Sequence, residues 1–253
     1  AQTDKYQLVQ LKNRFNGSVL PEIQCADVQD DRKKKKMTGI FTKLLKTEIE
    51  LALKKKEQII LFQNRRGFAP ILECNVCGNT EQCERCDVSL TYHKGVKQLR
   101  CHYCGHSQKV DITCSSCGSV ETGFKGFGTE MIMEGFQEVF PEAKVARMDY
   151  DTTRGKTSYQ TLISDFSEGK IDVLIGTQMV TKGLDFANVS LVGVLNADQM
   201  LNFPDFRAFE RAYQMLTQVS GRAGRRKKRG KVIVQTYTPY HSVIRNVMDN
   251  NYN

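Results

Sequence analysis

The stretch CNVCGNTEQCERCDVSLTYHKGVKQLRCHYCGHSQKVDITCSSC, residues 74–117, holds eight of the chain's nine cysteines in four CxxC pairs: Cys74/Cys77, Cys83/Cys86, Cys101/Cys104 and Cys114/Cys117. A CxxC turn sets two thiolates at the bite of one metal ion but fills half of a tetrahedral shell, so zinc takes two such turns per site. Eight thiolates therefore suit two zinc ions. The fourteen residues between Cys86 and Cys101 alternate like a short hairpin turning at Lys94 and Gly95, which makes Cys83, Cys86, Cys101 and Cys104 an inner ribbon site. Cys74, Cys77, Cys114 and Cys117 are then left to each other as an outer site, and one ribbon is carried on the base of another. Sequential pairing is disfavoured, because the five residues between Cys77 and Cys83 are too few for a ribbon hairpin. Gly78, Gly105 and Gly118 follow three of the knuckles, where a left-handed residue lets backbone N–H groups point at sulfur.

Other uses of these cysteines fit less well. Disulfides need an oxidising compartment, and nothing in the sequence resembles a secretory signal. A redox CxxC occurs singly at a strand-to-helix junction, not in a block of four. His93, His102 and His106 lie among the knuckles and read as surface or supporting groups, since the thiolates suffice. Cys25 stands alone and reads as a small apolar side chain on a strand.

Outside the block the pattern is that of an α/β sheet. Strands are expected at residues 21–28, 59–62, 144–149, 171–177, 189–198 and 231–237, and helices at 38–56 (capped by Thr38), from the end of GFKGFGTE (123–130) to 140, at 158–167, 205–219 and the C-terminus. The charged run 30–36 reads as a mobile loop. Apolar strands alternating with helices predict a parallel sheet covered on both faces, with residues 74–117 inserted into it. The lobe would comprise residues 21–73 and 118–253, and residues 1–20 read as a linker from a preceding lobe.

Of 253 residues 40% are hydrophobic, with no long apolar run, which excludes a membrane-spanning role. The formal charge is +9, and eight zinc-bound thiolates with two dications lower it to about +5. Basic clusters at 32–36, 54–56, 65–66 and 222–231 suit a polyanion such as nucleic acid. Residues 154–157, RGKT, imitate the end of a phosphate-binding loop, but Tyr150 stands where that loop needs a glycine. No other loop of that type is present, so the chain by itself is not expected to hydrolyse a nucleotide.

Residues 175–186, IGTQMVTKGLDF, and 218–225, QVSGRAGR, resemble motifs V and VI of superfamily 2 helicases. With NRRGFAP (64–70), GFGTE (126–130), MDYDTT (148–153) and the four-CxxC insertion, the chain is similar to the PriA family of that superfamily over roughly residues 20–250. The resemblance implies a RecA-like second helicase lobe with an inserted two-zinc ribbon, cut from a longer ATP-dependent 3′-to-5′ DNA helicase of the bacterial, nucleoid-associated cytoplasm. That enzyme acts in replication restart and primosome assembly, with single-stranded and forked DNA, primosome proteins and single-strand-binding protein as partners. ATP and magnesium would bind only with the first lobe.

By the same resemblance, Arg222 and Arg225 look like arginine fingers and Gln218 lines the nucleotide side of the cleft. Gly176, Thr177, Lys182, Gly183 and Asp185 are expected to meet phosphate and ribose. Asn64, Arg65, Gly128 and Thr129 look like contacts to the backbone of single-stranded DNA. Two other classes of function compete: a non-catalytic zinc-ribbon module for nucleic acid or protein, and a thiol-active chaperone. The latter needs CxxCxGxG repeats, and the second glycine is missing here.

Overall fold

The computed structural model describes residues 19–64, 71–86, 88–93, 96–101, 103–124, 129–149, 152–153, 156–181, 186–224 and 229–251. Strands β1 (Glu22–Asp27), β2 (Gln58–Phe62), β8 (Val145–Met148), β9 (Val173–Gly176), β10 (Val189–Val194) and β11 (Lys231–Thr236) form one sheet in the order β1-β11-β10-β2-β9-β8. Every pairing in it is parallel.

Alternate side chains of the strands bury into opposite layers, as the pleat requires. Ile59 and Leu61 of β2 face helices α2 (Lys43–Lys54) and α3 (Thr129–Val139), where they meet Leu45, Ile49, Ile132 and Phe136. Ile60 and Phe62 face α4 (Lys156–Ser167), α6 (Ala208–Ser220) and α7 (Ser242–Met248), where Leu216, Val219 and Ile244 close the core. At Gly193 of β10 a Cβ would come within 2.9 Å of both Leu61 and Leu45, so the strand needs a glycine there for α2 to sit this close. No helix among the described residues is long and apolar enough to cross a membrane.

Two local expectations are corrected. The run 30–36 is not a loop throughout, because α1 (Val28–Lys33) occupies half of it. Asp27 caps that helix by accepting from the Asp30 N–H at 2.9 Å, with acids in its first turn and bases in its last, as the helix dipole favours. Helix α2 starts at Lys43 rather than Thr38, since Thr38 bridges to Phe41 across a tight turn with Gly39 at φ 56°. The cap is Thr42, and a buried amide holds it in place. Gln235 Oε1 accepts from the Thr42 N–H at 2.7 Å and its hydroxyl at 3.0 Å, while Gln235 Nε2 donates to the carbonyls of Ile40 and Leu195.

The insertion leaves the lobe on an antiparallel stem of β3 (Leu72–Cys74) and β7 (Thr122–Phe124), a step beyond residues 74–117 on the C-terminal side. Within it β4 (Thr91–His93), β5 (Gln98–Arg100) and β6 (Ser107–Lys109) make a three-stranded antiparallel ribbon with a small core of Val88, Leu90 and Leu99. His93 pairs with Gln98, so β4 and β5 are joined through residues 94–97; Lys94 and Gly95, where the turn is expected, lie outside the described residues.

Candidate functional site

The eight cysteines of the insertion gather as two nested tetrads, Cys74/Cys77/Cys114/Cys117 and Cys83/Cys86/Cys101/Cys104, with the sulfurs of each within 4.8 Å of one another. Sulfur pairs Cys74–Cys117, Cys77–Cys114 and Cys83–Cys104 each stand 3.6 Å apart. A disulfide would set them at about 2.0 Å. A tetrahedron with metal–sulfur bonds of about 2.3 Å has edges of about 3.8 Å, which is the spacing found. Gly78, Gly105 and Gly118 take φ of 76°, 73° and 71°, and the N–H of each donates to the carbonyl of the first cysteine of its knuckle. The turn they make brings the next N–H round to sulfur: Asn79 reaches Cys77, and Ser119 reaches Cys117. Burial opposes ionisation of Cys101 and Cys114, yet the N–H groups of Cys104 and Tyr103 on one, and of Cys117 and Ser116 on the other, outweigh it. Both thiols are drawn down to about 7, so each tetrad offers a ready thiolate.

The insertion also rests on the lobe. Gly78 lies flat against the ring of Tyr237, where a Cβ would come 2.4 Å from the ring's Cγ. Arg32 also joins this contact, its guanidinium 5.6 Å from the Tyr237 ring centre and donating to the Asn75 carbonyl. At the inner knuckle the Tyr103 hydroxyl accepts from the Phe206 N–H at 3.1 Å, and the two rings meet edge to face. None of these four lobe or knuckle contacts was legible beforehand, since they join residues up to two hundred positions apart.

Four of the expected site residues stand along one edge of the sheet, where adjacent strands β2, β9 and β8 end. Gly176 closes β9 and a Cβ there would overlap Val180, so only glycine lets the 3-10 helix 178–181 fold back over the strand. The carbonyl of Gly176 accepts from the Gln63 N–H and the Thr177 N–H donates to Met148, tying the three strand ends together. Asn64 follows β2 and accepts from Gln178 Nε2 at 3.0 Å. Thr129 opens α3, but its side chain is buried and its hydroxyl is spent on Asp149, which leaves its backbone as the group a ligand would meet. Asp149 is itself held by Thr152 and by Arg147 at 3.7 Å. Burial pushes its carboxyl up, and the hydrogen bonds from Thr129 and Thr152 more than reverse this, leaving it below the usual aspartate range.

Arg222 is placed at the opposite edge. Just past α6 the chain turns at Gly224, φ 72°, whose N–H donates to the carbonyl of Val189 at the start of β10. Gly230 passes so close that a Cβ would fall 2.5 Å from the backbone of Ala223 and Gly224. Arg222 is thus fixed on a short, tightly held turn. Gln218, on the last turn of α6, borders a cavity of about 310 Å3 shared with Asn64 and Gln178. Arg65, Gly128, Lys182, Gly183, Asp185 and Arg225 lie outside the described residues.

Comparisons with known proteins agree with this architecture. The PriA DNA helicase Cys-rich region domain matches residues 83–109, and the helicase conserved C-terminal domain matches residues 97–227, half of the chain. The replication restart protein PriA of Bacillus subtilis is 48% identical over 241 residues, covering 95% of this chain and 30% of that protein. That of Synechocystis is 44% identical over 248 residues, covering 96% and 30%. That of Chlamydia pneumoniae is 39% identical over 254 residues, covering 100% and 34%. The chain spans about a third of the length of these relatives.

Proposed function

The chain belongs to the helicase conserved C-terminal domain family and is a relative of replication restart protein PriA, and from that premise we propose that it is the second motor lobe of an ATP-dependent 3′-to-5′ DNA helicase. The observation that carries the reading is the pair of nested cysteine tetrads set inside a parallel six-stranded lobe. A free-standing ribbon module would not need that lobe. The tetrads hold two structural zinc ions, four thiolates each, so that the insertion is shaped by metal and not by a large core.

In this reading Asn64 and Thr129, with Arg65 and Gly128, meet the phosphates of one DNA strand, and Gly176 and Thr177 beside them belong to the nucleotide contacts. Lys182, Gly183 and Asp185 are assigned to the phosphate and ribose of the nucleotide. Arg222 and Arg225 complete an ATP and magnesium site whose phosphate-binding loop another lobe supplies, and Gln218 lines it. Rigid support of the Arg222 turn by Val189 and Gly230 favours this, because a guanidinium that stabilises transferring phosphoryl charge must be held in place before the reaction. Alone, the chain does not turn over ATP and binds single-stranded DNA weakly, with strong dependence on salt. The partners are stalled or forked DNA, primosome proteins and single-strand-binding protein, in the bacterial cytoplasm at the nucleoid.

Arg225→Ala in the whole helicase tests the reading. Steady-state ATP turnover at saturating DNA falls by about a thousandfold, the scale of an arginine finger, while ATP affinity changes far less. Loss of DNA affinity with turnover intact at saturating DNA would show the arginine to be part of a basic surface only, and would end the assignment.

A further inference from the structure

The cavity along α6 brings Asn64 and Gln218, already given roles above, together with side chains that have none. Its floor is apolar and flat, because Ala208 and Ala212 lie one helical turn apart with Met200 and Met215 beside them. Its rim carries carboxamides from three elements: Asn64 after β2, Gln178 in the 3-10 helix, and Gln214 and Gln218 on α6. Among the described residues the cation that lines it is Arg211, which is already paired with Asp205. A carboxamide sets one acceptor beside one donor group, which is the complement of the adenine edge, where an exocyclic amine adjoins a ring nitrogen.

One of these amides is incomplete. Gln178 gives its Nε2 to Asn64, while its Oε1 is buried and accepts from no described residue. Buried acceptors are ordinarily paired, and one left open beside a cavity marks where a ligand donor would go. We propose that this cavity binds a nucleobase with an adenine-type edge, its amine donating to Gln178 Oε1 and its ring lying over Ala208 and Ala212. The proposal rests on the nucleic-acid reading above and adds a base contact to a lobe whose other assigned contacts are to phosphate and ribose. A free nucleotide and a base turned out of a DNA strand present the same chemistry.

The test uses the whole chain described here, loaded with zinc. In one arm, calorimetry compares adenosine with purine riboside, which lacks the amine. In the other, fluorescence anisotropy compares an oligodeoxyadenylate with an abasic strand of equal length. A preference of at least tenfold for the amine-bearing or base-bearing ligand is expected in one arm, and that arm identifies the source. Gln178→Leu, and separately Gln214→Leu on the exposed rim, should reduce this preference, and Gln214→Leu, which touches no assigned DNA contact, should leave abasic-strand binding and the circular dichroism spectrum unchanged. Equal binding within both pairs, by a chain that still binds the abasic strand, overturns the base site and spares the nucleic-acid reading. Failure to bind any strand overturns both.

Discussion

Two aspartates show how one residue type is used in opposite ways. Asp198, at the start of α5 (Asp198–Leu201), is buried and accepts from the Tyr237 N–H and the hydroxyls of Thr236 and Thr238, each at 2.9 Å. Burial pushes its carboxyl above the usual range, against the pull of those three donors. It pins the backbone of the tyrosine on which the outer knuckle rests. Asp198→Ala would orphan three donors at once, and we expect a loss of about 3 kcal/mol in urea unfolding of the zinc-loaded chain. Asp149 has the opposite sign. Its depressed carboxyl contributes stability that is fully present above the ordinary aspartate value near 3.9 and is lost as pH falls below it. Melting temperatures of wild type and Asp149→Asn, compared at pH 7 and pH 3, should therefore converge at the acid end; a constant gap would show that the charge is immaterial.

At the level of elements, the insertion and the lobe owe their order to different forces. Leu90, Leu99 and a few neighbours make too small a core to hold three short strands without metal, whereas the six-stranded sheet buries apolar layers on both faces. Each structural zinc contributes on the order of 10 kcal/mol, so a strong chelator should abolish amide protection in residues 83–109 while protection in β2, β10 and β11 persists. Loss of both together would mean that the ribbon and the sheet fold as one unit. The tetrads and most strands were legible in the sequence because their signals are local: fixed cysteine spacing and short apolar runs. Of the two errors one has a local cause and one a distant cause. A run rich in lysine hides α1, whose cap Asp27 belongs to the preceding strand, and Thr38 reads as a cap because the amide that selects Thr42 comes from Gln235, far along the chain. The sequence also joined Gly176 and Arg222 in one function without revealing that they stand at opposite edges of the sheet.

Across the whole molecule, the outer tetrad does more than fold a small ribbon. Cys74 and Cys117 are 43 positions apart, and so the metal ties together the points where the chain leaves the sheet after β2 and returns toward α3. For a parallel sheet, whose neighbours β2 and β9 are distant in sequence, the cost of searching for each other is paid in chain entropy before any pairing forms. Closing a loop of that length costs about 3 kcal/mol, and a zinc knuckle formed early removes the insertion from the search. Zinc should then speed refolding of the sheet, read as recovery of β-sheet circular dichroism in stopped flow, while Cys114→Ser slows it even when the folded lobe is equally stable. A refolding rate indifferent to zinc would confine the metal to its ribbon. The knuckle at the base of the insertion thus acts as a splice in time, making a chain interrupted by a foreign module fold as though the interruption were absent.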